Sequence, residues 1–371
     1  MEKITHRLTI LVLALLLCGG MLLHVLLPDR DISEAERRKL NQFPKFTAAA
    51  VKSGEYMQDL ESYLLDQFPA RDTFRTIKSV WTYYILGQKD NNGIYISKDP
   101  YSDRNTVSKL ETVLDETQVA LFTKKMTTLK EKYFPDSPVW CVPIPDKNYY
   151  LTQTGAYPSL DYEQLLQLVE DGMPWADVRR NLFTCLVSDS YYTTDSHWRQ
   201  EALQWVIDDL SLIMDLELPA LDTYEQRVLP GFRGVYYGQS ALPLPAEDLI
   251  YLENEVTKHA VVTGPELQGA QAIYAPEKFG GNDGYDVFLH GAQAVQTIEN
   301  PLSETDRELI IFRDSFGSSL TPLLLSAYKT ITLVDIRYVD SQFLGQFVDF
   351  HGQDVLILYS TTVINSAGIL R

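Results

Sequence analysis

The 371-residue chain carries 50 acidic against 32 basic residues, a formal net charge of -18. Such an excess of negative charge disfavours a nucleic-acid surface, which needs basic patches to neutralise phosphate, and suits a solvated, exported protein. The length allows one large domain and an accessory segment, and the three cysteines, Cys18, Cys141 and Cys185, show no metal-type spacing.

Residues 8–28 are almost wholly apolar, preceded by Lys3, His6 and Arg7 and followed by Asp29, Arg30 and Asp31. About 20 apolar residues cross a bilayer as a helix, so residues 1–28 are expected to be a transmembrane anchor. The positive flank favours a cytoplasmic N-terminus, with the main domain extracytoplasmic at the cell membrane. The competing reading is a cleaved signal peptide, whose apolar core usually runs roughly 7–15 residues. No small-x-small cleavage site follows the run, and Leu17-Cys18 makes only a weak lipoprotein site.

Residues 29–110 read as a membrane-proximal helical and hairpin region. Ser33 to Leu40 is charged and helical in character, while Gly54 to Leu65 and Thr73 to Leu86 show the spacing of amphipathic helices. Pro69 ends the first of these, and Asp72 is placed to cap the second. Asn91-Asn92-Gly93 signals a turn before the strand-like Ile94 to Ile96.

The rest, residues 111–371, reads as an α/β domain. A helix near 117–133 leads to the apolar strand Val139 to Ile144, which closes on Pro145-Asp146-Lys147. Helices near 161–169 and 201–214 follow, then a glycine-rich, loop-like insertion over 216–283. Strand-like runs recur at Tyr285 to Leu289, Glu308 to Phe312, Thr330 to Asp335 and Asp354 to Tyr359. Apolar runs separated by helices predict a mostly parallel sheet covered on both faces. Cys141 and Cys185 form the one soluble pair, and reduced, buried thiols are the expected state.

Two polar islands offer chemistry. Asp195 and His197 flank Ser196 just before the 201–214 helix, and Ser315 follows Asp314 where the run ending at Phe312 and Arg313 stops. Serine nucleophiles need a base to take the hydroxyl proton and an acid to orient that base. Ligands gather at the carboxyl ends of strands in open α/β sheets, which is where Ser315 falls. The structural alternative is that Asp314, Ser315 or Asp195 simply caps a helix. Gly291, after the 285–290 run, is a candidate to offer a backbone N–H to an oxyanion, the alternative being an ordinary turn glycine. His259, His290 and His351 form no ligand cluster, so neither a metal nor another cofactor is implied.

Asp195-Ser196-His197-Trp198 resembles the D-x-H-W signature of the DHHW family and the related alginate O-acetyltransferases. Four further blocks agree: Asp66-Gln67-Phe68-Pro69-x-Arg71-Asp72, Pro145-Asp146-Lys147, Asp314-Ser315-Phe316 and Asp335-x-Arg337-Tyr338. The resemblance implies an SGNH-hydrolase-like α/β/α sandwich with Ser315 as nucleophile, His197 as general base and Asp195 as its orienting acid. It implies O-acetyl transfer to, or acetyl-ester cleavage on, a cell-surface or exported polysaccharide. A membrane-bound O-acyltransferase is the partner implied. Trp198, Tyr236 and Tyr237 are candidates for stacking on sugar rings. Where the family often has Gly-Gly-Asn, this chain has His290-Gly291-Ala292, so an oxyanion donor is missing unless Gln293 replaces it. Loss of one such donor typically costs about 100- to 1,000-fold in turnover. The competing function is a glycan-binding or assembly protein that keeps the fold without turnover.

Overall fold

The computed structural model describes residues 2–33, 35–153 and 155–371. It divides into two compact units, residues 1–92 with 237–244, and residues 93–236 with 245–371.

The first unit opens with a 25-residue helix, Glu2–Leu26, over the expected anchor. Among the described residues no helix is long and apolar enough to cross a membrane. In place of the helix expected near Ser33 to Leu40, Ile32–Ser33 pairs antiparallel with Arg38–Lys39. The side chain of Asp66 explains this, since it takes both guanidinium nitrogens of Arg38, at 2.8 and 2.5 Å, and both the backbone and side-chain N–H of Asn41. Charge-assisted, two-pronged bonds of this kind outweigh a weak local helix preference. Arg71 meets Glu36 at 2.5 Å and Asp72 meets Arg30 at 3.2 Å. Asp72 is therefore not the helix cap, a place taken by Ala70. The Asp66-to-Asp72 block works as a staple between the hairpin and the helices Glu55–Asp66 and Arg71–Val80.

The second unit is built on eight strands, numbered here in chain order: β1 Val139–Cys141, β2 Asp177–Val178, β3 Val261–Thr263, β4 Gln271–Ala272, β5 Val295–Glu299, β6 Glu308–Arg313, β7 Thr330–Val334 and β8 Asp354–Leu358. Their order across the sheet is β4-β3-β5-β7-β6-β8-β1-β2. From β7 to β2 all pairings are parallel, and from β7 to β4 all are antiparallel. The expected α/β class with a mostly parallel sheet is what the structure has.

Alternation along the strands explains the two layers. Leu309 and Ile311 of β6 enter one core with Val206, Ile207 and Leu210 of helix Gln204–Met214 and Leu320, Leu323 and Leu324 of helix Gly317–Leu324. Ile310 and Phe312 enter the other with Val119, Phe122 and Met126 of helix Glu116–Tyr133 and Leu165 and Val169 of helix Tyr162–Gly172. Each fully buried aliphatic side chain of this kind contributes roughly 1.5–3 kcal/mol. That makes β6 a rigid central base for whatever follows it.

Two expectations need correction. Tyr285 to Leu289 is a short 3-10 helix, Gly284–Val287, not a strand, and the strand instead begins at Val295. Residues 216–283 are less irregular than their glycines suggest. They hold a long hairpin, Glu225–Phe232 with Glu247–Glu253, as well as β3 and β4.

Candidate active site

Ser315 stands one residue beyond Asp314 at the carboxyl end of β6, with parallel strands on either side. The local alternatives divide cleanly between the two residues. Asp314 holds the turn, accepting from Phe316 N–H at 3.1 Å and from Ser360 N–H at 2.8 Å. Ser315 is left free of capping duty, and its hydroxyl lies 2.7 Å from His197 Nε2. His197 Nδ1 lies 2.6 Å from Asp195 Oδ1. Asp195, His197 and Ser315 thus form one continuous hydrogen-bonded chain. With Nδ1–H donated to the carboxylate, Nε2 is the acceptor that faces the hydroxyl.

The D-x-H segment is the tip of a tight arch. Tyr191 bridges Trp198, and Tyr192 N–H donates to His197 C=O at 3.1 Å. Opposite charges grip its backbone. The Lys147 ammonium donates to the carbonyls of Tyr192, Thr193 and Asp195 at 2.9, 3.2 and 2.9 Å. The Glu247 carboxylate accepts from the N–H groups of Thr193 and Thr194 at 3.1 and 3.2 Å and pairs with Arg199 at 2.5 Å. Asp195 is oriented in turn by His197 N–H at 3.0 Å and Val235 N–H at 2.8 Å. Gly234 sits so close that an added Cβ would lie 2.2 Å from Asp195 Cβ. Burial pushes the Lys147 ammonium down to about 7, against the opposing pull of Glu247 and Asp195.

Beneath the serine turn lies Arg313, fully buried, donating to Asp314 C=O, Ser318 Oγ and Gln296 Oε1 at 3.3, 3.0 and 2.9 Å. Gln296 passes the link on to Leu289 C=O at 2.6 Å. Leu289, His290 and Gly291 all have positive φ, at 54°, 62° and 88°. Only the last suits the left-handed region without strain.

The remaining candidates fare differently. Gly291 N–H is already donated to Phe288 C=O at 3.1 Å, so it does not face an oxyanion. Its lack of a Cβ serves the close approach of Asp286, whose Oδ1 would stand 2.3 Å from one. Gln293 is buried, with Oε1 unpartnered, and among the described residues no hydrogen bond joins it to Ser315 or His197. Ser315 N–H, by contrast, is taken by no acceptor among the described residues. Trp198 is not a sugar platform: it is fully buried, packs edge-on against Phe316 and donates to Ser319 Oγ at 2.9 Å. The ring of Tyr236 lies over the Lys147 ammonium at 5.4 Å. Tyr237 belongs to the first unit, where its carbonyl accepts from Ala241 N–H and Ser240 Oγ.

The other blocks prove structural. Asp146 starts helix Lys147–Thr152 and accepts from Tyr162 and Thr361 hydroxyls at 2.9 and 2.7 Å; burial pushes its carboxyl up to about 6. Asp335 is buried against Arg337, at 2.9 and 2.6 Å, and fixes the end of β7 through Ala294 C=O.

No family model and no curated protein matches the chain. Solved structures do. The crystal structure of a DHHW family protein from Eubacterium siraeum aligns over 76% of this chain and 95% of that one, with 19% identity and a TM-score of 0.62. The chain has the fold of a DHHW family protein. Bacillus cereus PatB1 with a sulfonyl adduct aligns over 74% of this chain and 97% of its own, with 15% identity and a TM-score of 0.57. A second structure of Bacillus cereus PatB1 gives 73%, 97%, 16% and 0.51. At these identities the likeness establishes the fold. The DHHW resemblance read from the motif blocks is met at that level, and the DHHW-like fold carries Ser315 on its central strand.

Proposed function

We propose that this chain is an SGNH-hydrolase-like acyltransferase or esterase, moving acetyl groups on a cell-surface or exported polysaccharide. The observation that carries this reading is the hydrogen-bonded chain from Asp195 through His197 to Ser315, at 2.6 and 2.7 Å. Ser315 Oγ attacks the acyl carbonyl carbon while its proton moves to His197 Nε2. The tetrahedral oxyanion faces the unengaged Ser315 N–H at the start of helix Gly317–Leu324. Collapse breaks the bond to the leaving alkoxide, which takes the proton from Nε2 and leaves acetyl-serine. A sugar hydroxyl or water then attacks, its proton passes to Nε2 and back to Ser315 Oγ, and the acetyl group departs on the acceptor.

The test is hydrolysis of 4-nitrophenyl acetate, with labelling by an aryl sulfonyl fluoride followed by mass spectrometry. The expected result is a single sulfonyl adduct on Ser315, and a loss of about 1,000-fold or more in turnover for Ser315→Ala. Turnover indifferent to that change overturns the reading. Acceptor oligosaccharides in the same assay separate transfer from hydrolysis. A second reading, a glycan binder without turnover, draws on the engaged Gly291 N–H and the absence of asparagine at Ala292. Wild-type protein that neither turns over the ester nor takes the label favours it.

The same proposal places the chain at the cell membrane through residues 1–28, facing outward, beside a membrane-bound O-acyltransferase. Retention in the membrane fraction after alkaline carbonate extraction is the expected outcome, and release into the supernatant rules the anchor out.

A further inference from the structure

Two aromatic rings pack on the His197 imidazole: Phe316 is tilted at 5.0 Å, and Tyr285 lies parallel and closer. The Tyr285 and imidazole ring centroids are 3.9 Å apart, with 9° between the planes. Neutral aromatic pairs favour offset or edge-on arrangements with centroids about 4.5–7 Å apart. At this closeness the π face of Tyr285 is already in place to meet the imidazolium once His197 has taken the serine proton. Tyr285 is buried, and burial holds its phenol well above the usual tyrosine range, so the ring stays neutral. Its far end is tied down, donating to Ser319 Oγ at 2.7 Å, the same oxygen that receives Trp198 Nε1. Ser319 lies on the helix that follows Ser315, and Trp198 adjoins His197. One hydroxyl therefore links the stacking ring to both polar islands. Phe288 packs on the ring at 4.9 Å and Tyr192 at 6.5 Å.

We infer that Tyr285 is a positioning residue for the general base: its ring fixes the imidazole plane between Asp195 and Ser315 and stabilises the imidazolium formed as the serine proton moves to Nε2. This rests on the acyl-transfer reading above and adds to it a group that no motif block contains. Because the cation exists only after proton transfer, the stack acts on the transition state and leaves ground-state binding alone. Its effect falls on kcat rather than KM.

The comparison is Tyr285→Phe against Tyr285→Leu in 4-nitrophenyl acetate hydrolysis, with Ser315→Ala alongside. Phenylalanine keeps the π face and loses the bond to Ser319, so kcat stays within about threefold of wild type. Leucine loses the face, and kcat drops about tenfold or more with KM nearly unchanged. If leucine does not fold, as judged by circular dichroism, methionine fills the volume without a π face and gives the same comparison. Equal losses for phenylalanine and leucine overturn the inference in favour of the hydroxyl, and a wild-type kcat for leucine or methionine overturns it outright. Failure of the parent reading looks different: Ser315→Ala would then retain activity.

Discussion

A lysine exposed by only 2% has to shed its charge or surround itself with acceptors. Lys147 does some of each: burial lowers its ammonium to about 7, and its three donors go to three carbonyls of the arch that carries Asp195 and His197. The same arch offers its N–H groups to Glu247, so backbone dipoles are read by an ammonium on one side and a carboxylate on the other. Truncation takes one donor from each of these carbonyls, of which Thr193 C=O keeps Val107 N–H and Thr106 Oγ1, at about 1–3 kcal/mol for any group left unsatisfied. Lys147→Met is therefore expected to lower the melting temperature and to reduce 4-nitrophenyl acetate turnover by at least roughly tenfold, since sub-ångström drift of His197 is enough to break the 2.7 Å contact. Lys147→Arg recovers only part, because a planar fork does not reproduce three diverging bonds. A melting temperature that falls while turnover stays at the wild-type level shows that the arch does not depend on this charge for its catalytic geometry.

Elements differ in how plainly they could be read in the amino-acid sequence. Strands β6, β7 and β8 stand out because largely apolar, β-branched-rich runs are what a sheet buried on both faces demands. Helices Glu116–Tyr133 and Gln204–Met214 announced themselves by periodicity. Strand β5 was hidden by Gln296 and Thr297, polar residues whose presence makes sense only once Arg313 is seen donating to Gln296. Tyr285 to Leu289 has the composition of a strand. A hydrogen bond from Gln296 draws Leu289 into a left-handed turn, and no local signal foretells a contact made in three dimensions. At the candidate site the three reactive residue types were legible from motif spacing. Glu247, which aligns the arch, and Tyr285, which covers the imidazole, carry no motif at all and emerge only from packing. Lys147 lay within a recognisable block, and its role waited on the geometry.

At the scale of the whole molecule, part-buried acids with desolvated carboxyl groups tie stability to pH. Burial pushes Glu201 up to about 7 from 4.5, and among the described residues its Oε2 has no hydrogen-bond partner. Between those two values the native state holds a proton that the unfolded chain has released, so stability falls as pH rises through the window and the cost is complete above about 7. Asp146, pushed up to about 6 from 3.8, acts with the same sign over a lower window. Lys147, lowered to about 7 from 10.5, acts oppositely: the unfolded chain keeps the proton longer, so stability recovers as pH rises from 7 toward 10.5. Comparing wild type with a single variant cancels the two groups left unchanged. Glu201→Gln removes the ionisation and keeps the shape. The variant is expected to melt roughly 3 °C above wild type at pH 8 and to converge with it at pH 4.5 and below, where wild-type Glu201 is protonated in the folded state. Calorimetric melts across that range decide the matter, because a difference that stays constant with pH assigns the change to packing and removes Glu201 from the account of acid–base stability.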